Sequence, residues 1–311
     1  MTAPSTEKST IVRTNQQREP RRYPVSVRIR HLLLTIAERQ APGLGARLAA
    51  RMWMSIPKGM AVPKGMAGAG AASRLTAPGT RTILSAPGAD AIVTESWGEG
   101  PAVYLMHGWA GNRTQFDAFV EPLTSAGFRA VAIDSPGHGE SGPGRFGRGR
   151  SLQPDFTMAL QAAFDHFGPP RGVIAHSLGA SATAIGTLEG LATGRLVLIS
   201  PLSNAFSGLD IFVRAAGIGP RIRARMPRRV ERITRMPAGR FDIAERAAEL
   251  DELPPALIIH DASDRYVPFD QGVLVAAAWP DARLKNTAGL GHNRILRDPD
   301  VIAAAVGFMM A

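Results

Sequence analysis

Ser177 has the setting a nucleophile needs. His176-Ser177-Leu178-Gly179-Ala180 follows the short apolar run 172–175 and opens a helical pattern. A strand–serine–helix junction of the G-x-S-x-G type makes a sharp turn, which closes only if the residues two before and two after the serine are small. Ala175 and Gly179 meet that requirement, with Ala175 standing where the pattern has glycine. The plainer reading of the same residues is a serine that caps a helix.

A serine nucleophile also needs a base and a group that orients the base. Gly289-Leu290-Gly291-His292-Asn293 puts a histidine among glycines after the last strand-like run, where it is free to point into a site. The run 256–259 is followed by His260-Asp261-Ala262-Ser263-Asp264, and either acid could orient a histidine. Asp264 lies deeper in the loop and is the better placed; Asp261 suits a turn that it shapes through its own backbone. After the run 102–106 comes His107-Gly108-Trp109. Gly108 permits close backbone approach, and the amides of Trp109 and Leu178 would supply two donors to an oxyanion. The His107 and His138 side chains read as structural. The loop 134–141 lacks a helix-opening G-x-G-x-x-G and reads as a tight loop flanking the site.

These residues need elements to hold them. Residues 81–85 and 91–97 read as a hairpin, and continuous apolar runs at 102–106, 130–133, 172–175, 196–199, 256–259 and 283–286 read as strands buried on both faces. Between them, 114–126, 152–167, 177–191, 271–278 and 298–310 have helical length and spacing. This alternation predicts an α/β fold, a mostly parallel central sheet covered by helices on both faces. Ligands of such sheets bind beyond the carboxyl ends of the strands, where each candidate residue falls.

Together the pieces resemble the α/β-hydrolase superfamily of serine hydrolases. The resemblance spans residues 91–311 and rests on His107-Gly108-Trp109, residues 134–141, His176-Ser177-Leu178-Gly179, Asp264-Arg265-Tyr266-Val267-Pro268 and Gly291-His292, with serine, acid and histidine in the family's chain order. It implies a catalytic triad of Ser177, Asp264 and His292 and an oxyanion hole built from the backbone of Trp109 and Leu178. The implied reaction is acyl transfer on a carboxylic ester, with no cofactor and no metal. A serine at 177, where dehalogenases and epoxide hydrolases use aspartate, argues against both chemistries. A thioesterase, acyltransferase or amide hydrolase would use the same triad. A non-catalytic hydrolase-like binding protein is the alternative from another class.

The domain organisation follows. Residues 76–311 form the hydrolase domain. The stretch 201–254, too long for a plain crossover, is expected to include a small helical lid. Residues 1–75 form a basic N-terminal extension with a disordered start, amphipathic helices from Val27 onward broken at Pro42-Gly43, and a Pro/Gly/Ala-rich linker. Those helices either dock an apolar stripe on the body, the favoured reading, or lie on a membrane surface.

Composition narrows the classes. The chain has 311 residues and no cysteine, which excludes disulfide scaffolds, zinc-thiolate sites and a cysteine nucleophile. His107, His138, His176, His260 and His292 are scattered over different strand ends without zinc-type spacing. The absence of a secretory apolar segment and of a long apolar run predicts a cytoplasmic protein, with peripheral membrane contact left open. The net charge of +10 is uneven: 11 basic and 3 acidic residues fall in 1–60, and 9 arginines face only Glu231 in 214–240. The remainder is net acidic, and no nucleic-acid module is recognisable, so a nucleic-acid partner is not expected. The predicted partner is a small-molecule ester, and the arginines suit one that carries an anionic group.

Overall fold

The computed structural model describes residues 25–56 and 78–311. The segments 1–24 and 57–77, which include the expected disordered start and linker, lie outside the described residues.

Two helices come first, α1 (Val25–Gln40) and α2 (Pro42–Met54), with Pro42 in the first turn of the second. Proline has no amide hydrogen to lose there and its φ suits a helix start, so it ends one helix and begins the next. A hairpin follows, β1 (Thr80–Ala86) and β2 (Ala89–Trp97), turning at Pro87-Gly88, where Gly88 has φ 92°. Then β and α alternate: β3 (Ala102–Met106), α3 (Asp117–Ser125), β4 (Arg129–Ile133), α4 (Gln153–Phe167), β5 (Pro170–His176), α5 (Leu178–Leu188) and β6 (Arg195–Ile199). An insertion carries α6 (Ala205–Ala216), α7 (Pro220–Arg223), α8 (Met226–Thr234) and α9 (Ile243–Ala247). The chain closes with β7 (Ala256–Asp261), α10 (Phe269–Ala278), β8 (Ala282–Thr287), α11 (Gly291–Arg294) and α12 (Pro299–Met310).

The eight strands form one sheet in the order β1-β2-β4-β3-β5-β6-β7-β8. β1 and β2 are antiparallel to their neighbours, and every pair from β4 through β8 is parallel. Alternate residues of one strand serve opposite layers, because strand side chains alternate in direction. Tyr104, Met106, Val173, Ala175 and Leu198 pack with α4 and α5 residues such as Phe156, Leu160 and Ala180. Val103, Leu105, Ile174, Val197 and Ile199 pack with Phe119 of α3 and Val301, Ala305 and Met309 of α12. The strand at 283–286 differs from its expected burial. β8 pairs only with β7, so as an edge strand it is partly wet, and Leu284 is exposed.

The N-terminal helices pack on the insertion. Leu34, Ala46 and Ala49 form a small core with Leu209, Ile218, Ile222 and Met226. Gly45 matters in this contact, since a Cβ there would collide with Ile222. The Glu38 carboxylate accepts the amides of Arg221 (2.7 Å) and Ile222 (3.0 Å), satisfying first-turn donors of α7. Ile56 donates its amide to the Gly149 carbonyl, which ties the segment just after α2 to the loop after β4.

Candidate active site

β5 delivers Ser177 to the carboxyl edge of the sheet, and α5 starts at the next residue. The serine backbone has φ 53° and ψ −122°, a strained conformation for a residue with a Cβ. Its amide donates to the Ile199 carbonyl at 2.8 Å. The neighbours must be small for measurable reasons. A Cβ on Gly179 would strike the carbonyl oxygens of His107 and Met106, and one on Gly108 would lie 2.9 Å from Ser177 Cβ. Ala175 is fully buried in the core on the α5 side, which accommodates its methyl. The serine side chain makes no capping bond to α5.

Its hydroxyl faces His292 instead. Ser177 Oγ lies 3.0 Å from His292 Nε2, and His292 Nδ1 lies 2.7 Å from Asp264 Oδ2. Gly289 and Gly291, with φ 83° and 66°, shape the loop that turns His292 inward after β8. Asp264 comes from the loop between β7 and α10, and its side chain is completely buried. Burial alone would raise its carboxyl, but the hydrogen bond from His292, that ring's charge and the amides of Val267 and Tyr266 outweigh burial and hold it below the usual carboxylate value. A carboxylate at Nδ1 fixes the proton there and leaves Nε2 to accept from the serine hydroxyl. Asp261 does not touch His292. Its Oδ1 accepts the Ser263 amide, and its Oδ2 accepts the Thr287 hydroxyl and the Leu290 amide, so it binds the loop that carries His292.

Trp109 follows Gly108, whose α-carbon abuts Ser177, and Leu178, the residue after the serine, opens α5. A first-turn amide such as that of Leu178 has no intrahelical acceptor and remains available to a ligand. The Gly108 amide donates to Gln115 Oε1 (3.2 Å), which helps fix this loop.

A buried polar frame supports these groups, and sequence reasoning missed most of it. His176 donates Nε2–H to the His292 carbonyl at 2.9 Å, and the two rings lie 4.6 Å apart. His107 accepts the Ser135 amide at Nε2 (3.0 Å) while Nδ1–H donates to the Gly108 carbonyl (2.7 Å). Asp134, fully buried, accepts the Arg113 amide, the Arg113 guanidinium and the Glu140 amide. Arg113 also pairs with Glu95 and Glu140, stapling the segment after β3 to the loop after β4. The available signal was position, since Asp134 directly follows a strand and Arg113 lies shortly after one. Burial keeps His107, His138, His176 and His260 below the ordinary histidine value, hence neutral. Among the described residues no group of three or more histidine and acidic side chains could hold a metal ion, and no helix is long and apolar enough to cross a membrane.

A hydroxyl bonded to an imidazole that is held by a buried carboxylate can lose its proton as it attacks an electrophilic carbon. Residues 102–305 match the alpha/beta hydrolase family across the strands and loops that carry this constellation. The chain belongs to the alpha/beta hydrolase family. A 2-hydroxy-6-oxononadienedioate/2-hydroxy-6-oxononatrienedioate hydrolase of a Pseudomonas species is 27% identical to this alpha/beta hydrolase over 253 residues, covering 69% of this chain and 86% of the relative. Two solved structures share the fold: a bromoperoxidase from Bacillus anthracis (TM-score 0.57, 18% identity, 75% of this chain and all of that one) and an esterase from Exiguobacterium antarcticum (TM-score 0.55, 15% identity, the same coverage). Helices α1 and α2 lie outside the matched family region of this alpha/beta hydrolase.

Proposed function

We propose that this alpha/beta hydrolase is a serine hydrolase that cleaves a carboxylic ester through an acyl-enzyme. The observation that carries the reading is the chain of contacts Ser177 Oγ–His292 Nε2 at 3.0 Å and His292 Nδ1–Asp264 Oδ2 at 2.7 Å, on a serine that caps nothing. Ser177 Oγ attacks the ester carbonyl carbon as its proton passes to His292 Nε2. The carbonyl oxygen takes up negative charge against the amides of Trp109 and Leu178. Asp264 keeps the imidazole in register and stabilises the imidazolium. Collapse of the tetrahedral intermediate breaks the bond to the alcohol, which leaves with the proton from His292. Water, giving a proton to the same nitrogen, then attacks the acyl carbon, and release of the acid regenerates Ser177. Helices α6–α9 and their connections act as the lid that selects the acyl and alcohol parts.

A second reading is favoured by the Pseudomonas relative. It is named for a substrate with an oxo group and two carboxylates, and an oxo carbon would offer Ser177 the same electrophile. The test is labelling with a fluorophosphonate, mapping of the modified residue, and hydrolysis of matched ester, thioester, amide and oxo-dicarboxylate substrates. Labelling at Ser177 with highest kcat/KM on the ester supports the reading. Modification elsewhere, or no labelling, overturns the nucleophile; preference for the oxo-dicarboxylate overturns the ester.

A further inference from the structure

Five of the twelve large hydrophobic side chains exposed among the described residues fall within residues 29–44: Ile29, Leu32, Leu33, Ile36 and Leu44, each 46–61% exposed. Isolated exposed leucines are ordinary. Four of these are not isolated, since positions 29, 32, 33 and 36 share one face of α1. The face that α1 uses for packing is a different one, centred on Leu34, which is 2% exposed in the small core with Ile222 and Met226. Docking on the body therefore leaves α1 with a second apolar stripe that has no partner among the described residues.

The fifth exposed residue, Leu44 on α2, lines a basic cleft. Between α2 and α8 is a cavity of about 680 Å³ lined by Leu44, Arg47, Arg225, Arg228, Arg229 and Arg232, on helices outside the triad. Elsewhere in the insertion the arginines have acids: Arg223 pairs with Asp210, and Arg240 and Arg246 with Glu189. The five cleft arginines make no ion pair among the described residues, and Arg225 donates to the Arg221 carbonyl instead. Arg229 Nε is buried without an acceptor. Five guanidinium groups around one cavity repel one another, and a buried N–H without a partner is costly. Phosphate oxygens relieve both, because guanidinium donors match them in pairs.

We propose that α1, α2 and α8 form a docking face for an anionic phospholipid bilayer, with the Ile29–Leu32–Leu33–Ile36 stripe entering the acyl boundary and the arginine cleft holding headgroup phosphates. A bilayer surface presents anionic oxygens and hydrocarbon side by side over the width of several helices. A free phosphate leaves the stripe uncovered. A second copy in two-fold contact brings the same arginine patch to the interface and adds like charge.

The test is flotation of the full chain with vesicles of phosphatidylcholine alone and of phosphatidylcholine with 30% phosphatidylglycerol, a composition chosen at roughly the anionic content that polybasic faces respond to. The expected result is binding to the anionic vesicles only, falling at least about tenfold when salt rises from about 0.1 to 0.5 M, as screening requires. Leu32→Ser/Leu33→Ser/Ile36→Ser should lower partitioning at least about tenfold with hydrolysis of a soluble ester and the melting temperature retained, and Arg228→Glu/Arg229→Glu should lower it as far with the melting temperature retained. Both variants change exposed or cleft-lining side chains, and retained melting shows that loss of binding is not loss of fold. The proposal is overturned by absence of vesicle binding, by equal binding to both vesicle types, or by binding that ignores the stripe variant. Stabilisation by inorganic phosphate without vesicle binding overturns it in favour of a free-anion site. A concentration-dependent dimer abolished by the stripe variant overturns it in favour of a contact between copies. Every readout but the control is independent of hydrolysis, so this proposal and the ester reading fail separately.

Discussion

His176 and His292 lie 116 positions apart, yet their ring centroids are 4.6 Å apart, the planes tilted by 46°, and the His176 Nε2–H donates to the His292 carbonyl at 2.9 Å. The residue before the candidate nucleophile thus holds the backbone of the candidate base. Elbow and histidine loop are joined at two points, this bond and the one between Ser177 Oγ and His292 Nε2. His176 does this as a neutral ring, because burial, with the neighbouring His292 charge, keeps it well below the ordinary histidine value.

The triad reading makes the first prediction. Ser177→Ala, His292→Ala and Asp264→Asn should each lower kcat at least about a hundredfold on an activated ester, with melting temperature little changed. Because the three act as a unit, Ser177→Ala/His292→Ala should be about as slow as either single variant. Asp261→Asn should act differently: its carboxylate holds the Thr287 hydroxyl and Leu290 amide, so its loss should loosen the histidine loop and lower stability first. Steady-state kinetics beside thermal melts would separate the two acids. A harmless Asp264→Asn with a crippled Asp261→Asn would transfer the orienting role to Asp261.

His176 gives the second prediction. His176→Phe keeps a ring against His292 and loses the bond to its carbonyl. A net hydrogen bond is worth about 1 kcal/mol, so kcat should fall roughly fivefold while KM stays near its original value. His176→Gln, which can still donate to that carbonyl, should recover part of the loss. Equal rates for Phe and Gln, or a change confined to KM, would show that the bond does not position His292.

Several of these features were legible in the sequence and others were not, for physical reasons. Strands such as β3 and β6 are buried on both faces and read as unbroken apolar runs, so the layered α/β fold was accessible. The stretch 283–286 was misjudged because an edge strand alternates, and Leu284 sits on its wet side. Ser177, Asp264 and His292 could be selected because each directly follows or shortly follows a strand, where glycines and loops make backbone room. The bonds of His176 to His292 and of Arg113 to Asp134 depend on rotamers and on loops meeting from distant parts of the chain, which spacing does not encode. The N-terminal helices left docking and a membrane surface as alternatives because α1 carries two apolar stripes. One packs on Ile222, and the other is exposed.

Backbone closeness at the elbow gives the third prediction. A methyl at Gly179 would meet the carbonyl oxygens of His107 and Met106, which are backbone atoms and cannot swing aside. Gly179→Ala should therefore shift the start of α5 and cost about 1–3 kcal/mol, the usual range for forced overpacking. Activity should fall with it, since α5 carries the Leu178 amide. Gly147→Ala is a comparison, with open space around its Cβ and strain only from its φ of 86°. Chemical denaturation of both variants would check this; a Gly179→Ala protein as stable and active as wild type would refute the close-contact account.

Stability against pH gives the last prediction. His107, His138, His176 and His260 are each held below the ordinary histidine value, first by burial. In the unfolded chain they take up protons near pH 6.5, whereas the folded chain resists. The unfolded state then binds more protons, so stability present above about pH 6.5 is lost as pH falls below it. Asp155 works the other way. Burial raises its carboxyl to about 6, and Arg145 at 3.6 Å only partly offsets this. For an acid held above its unfolded value, stability falls as pH rises from about 4 to 6, and the charged form costs on the order of 3 kcal/mol at neutral pH. Four histidines oppose one carboxyl, so the melting temperature should drop between pH 7.5 and 5.5. Asp155→Asn should raise the melting temperature at pH 7.5, where the charged carboxylate is removed, and steepen the decline toward pH 5.5, where its opposing trend is lost. Melts of wild type and variant across that range decide the matter. A flat wild-type profile would contradict the neutral histidines, and an Asp155→Asn protein less stable than wild type at pH 7.5 would contradict the raised carboxyl.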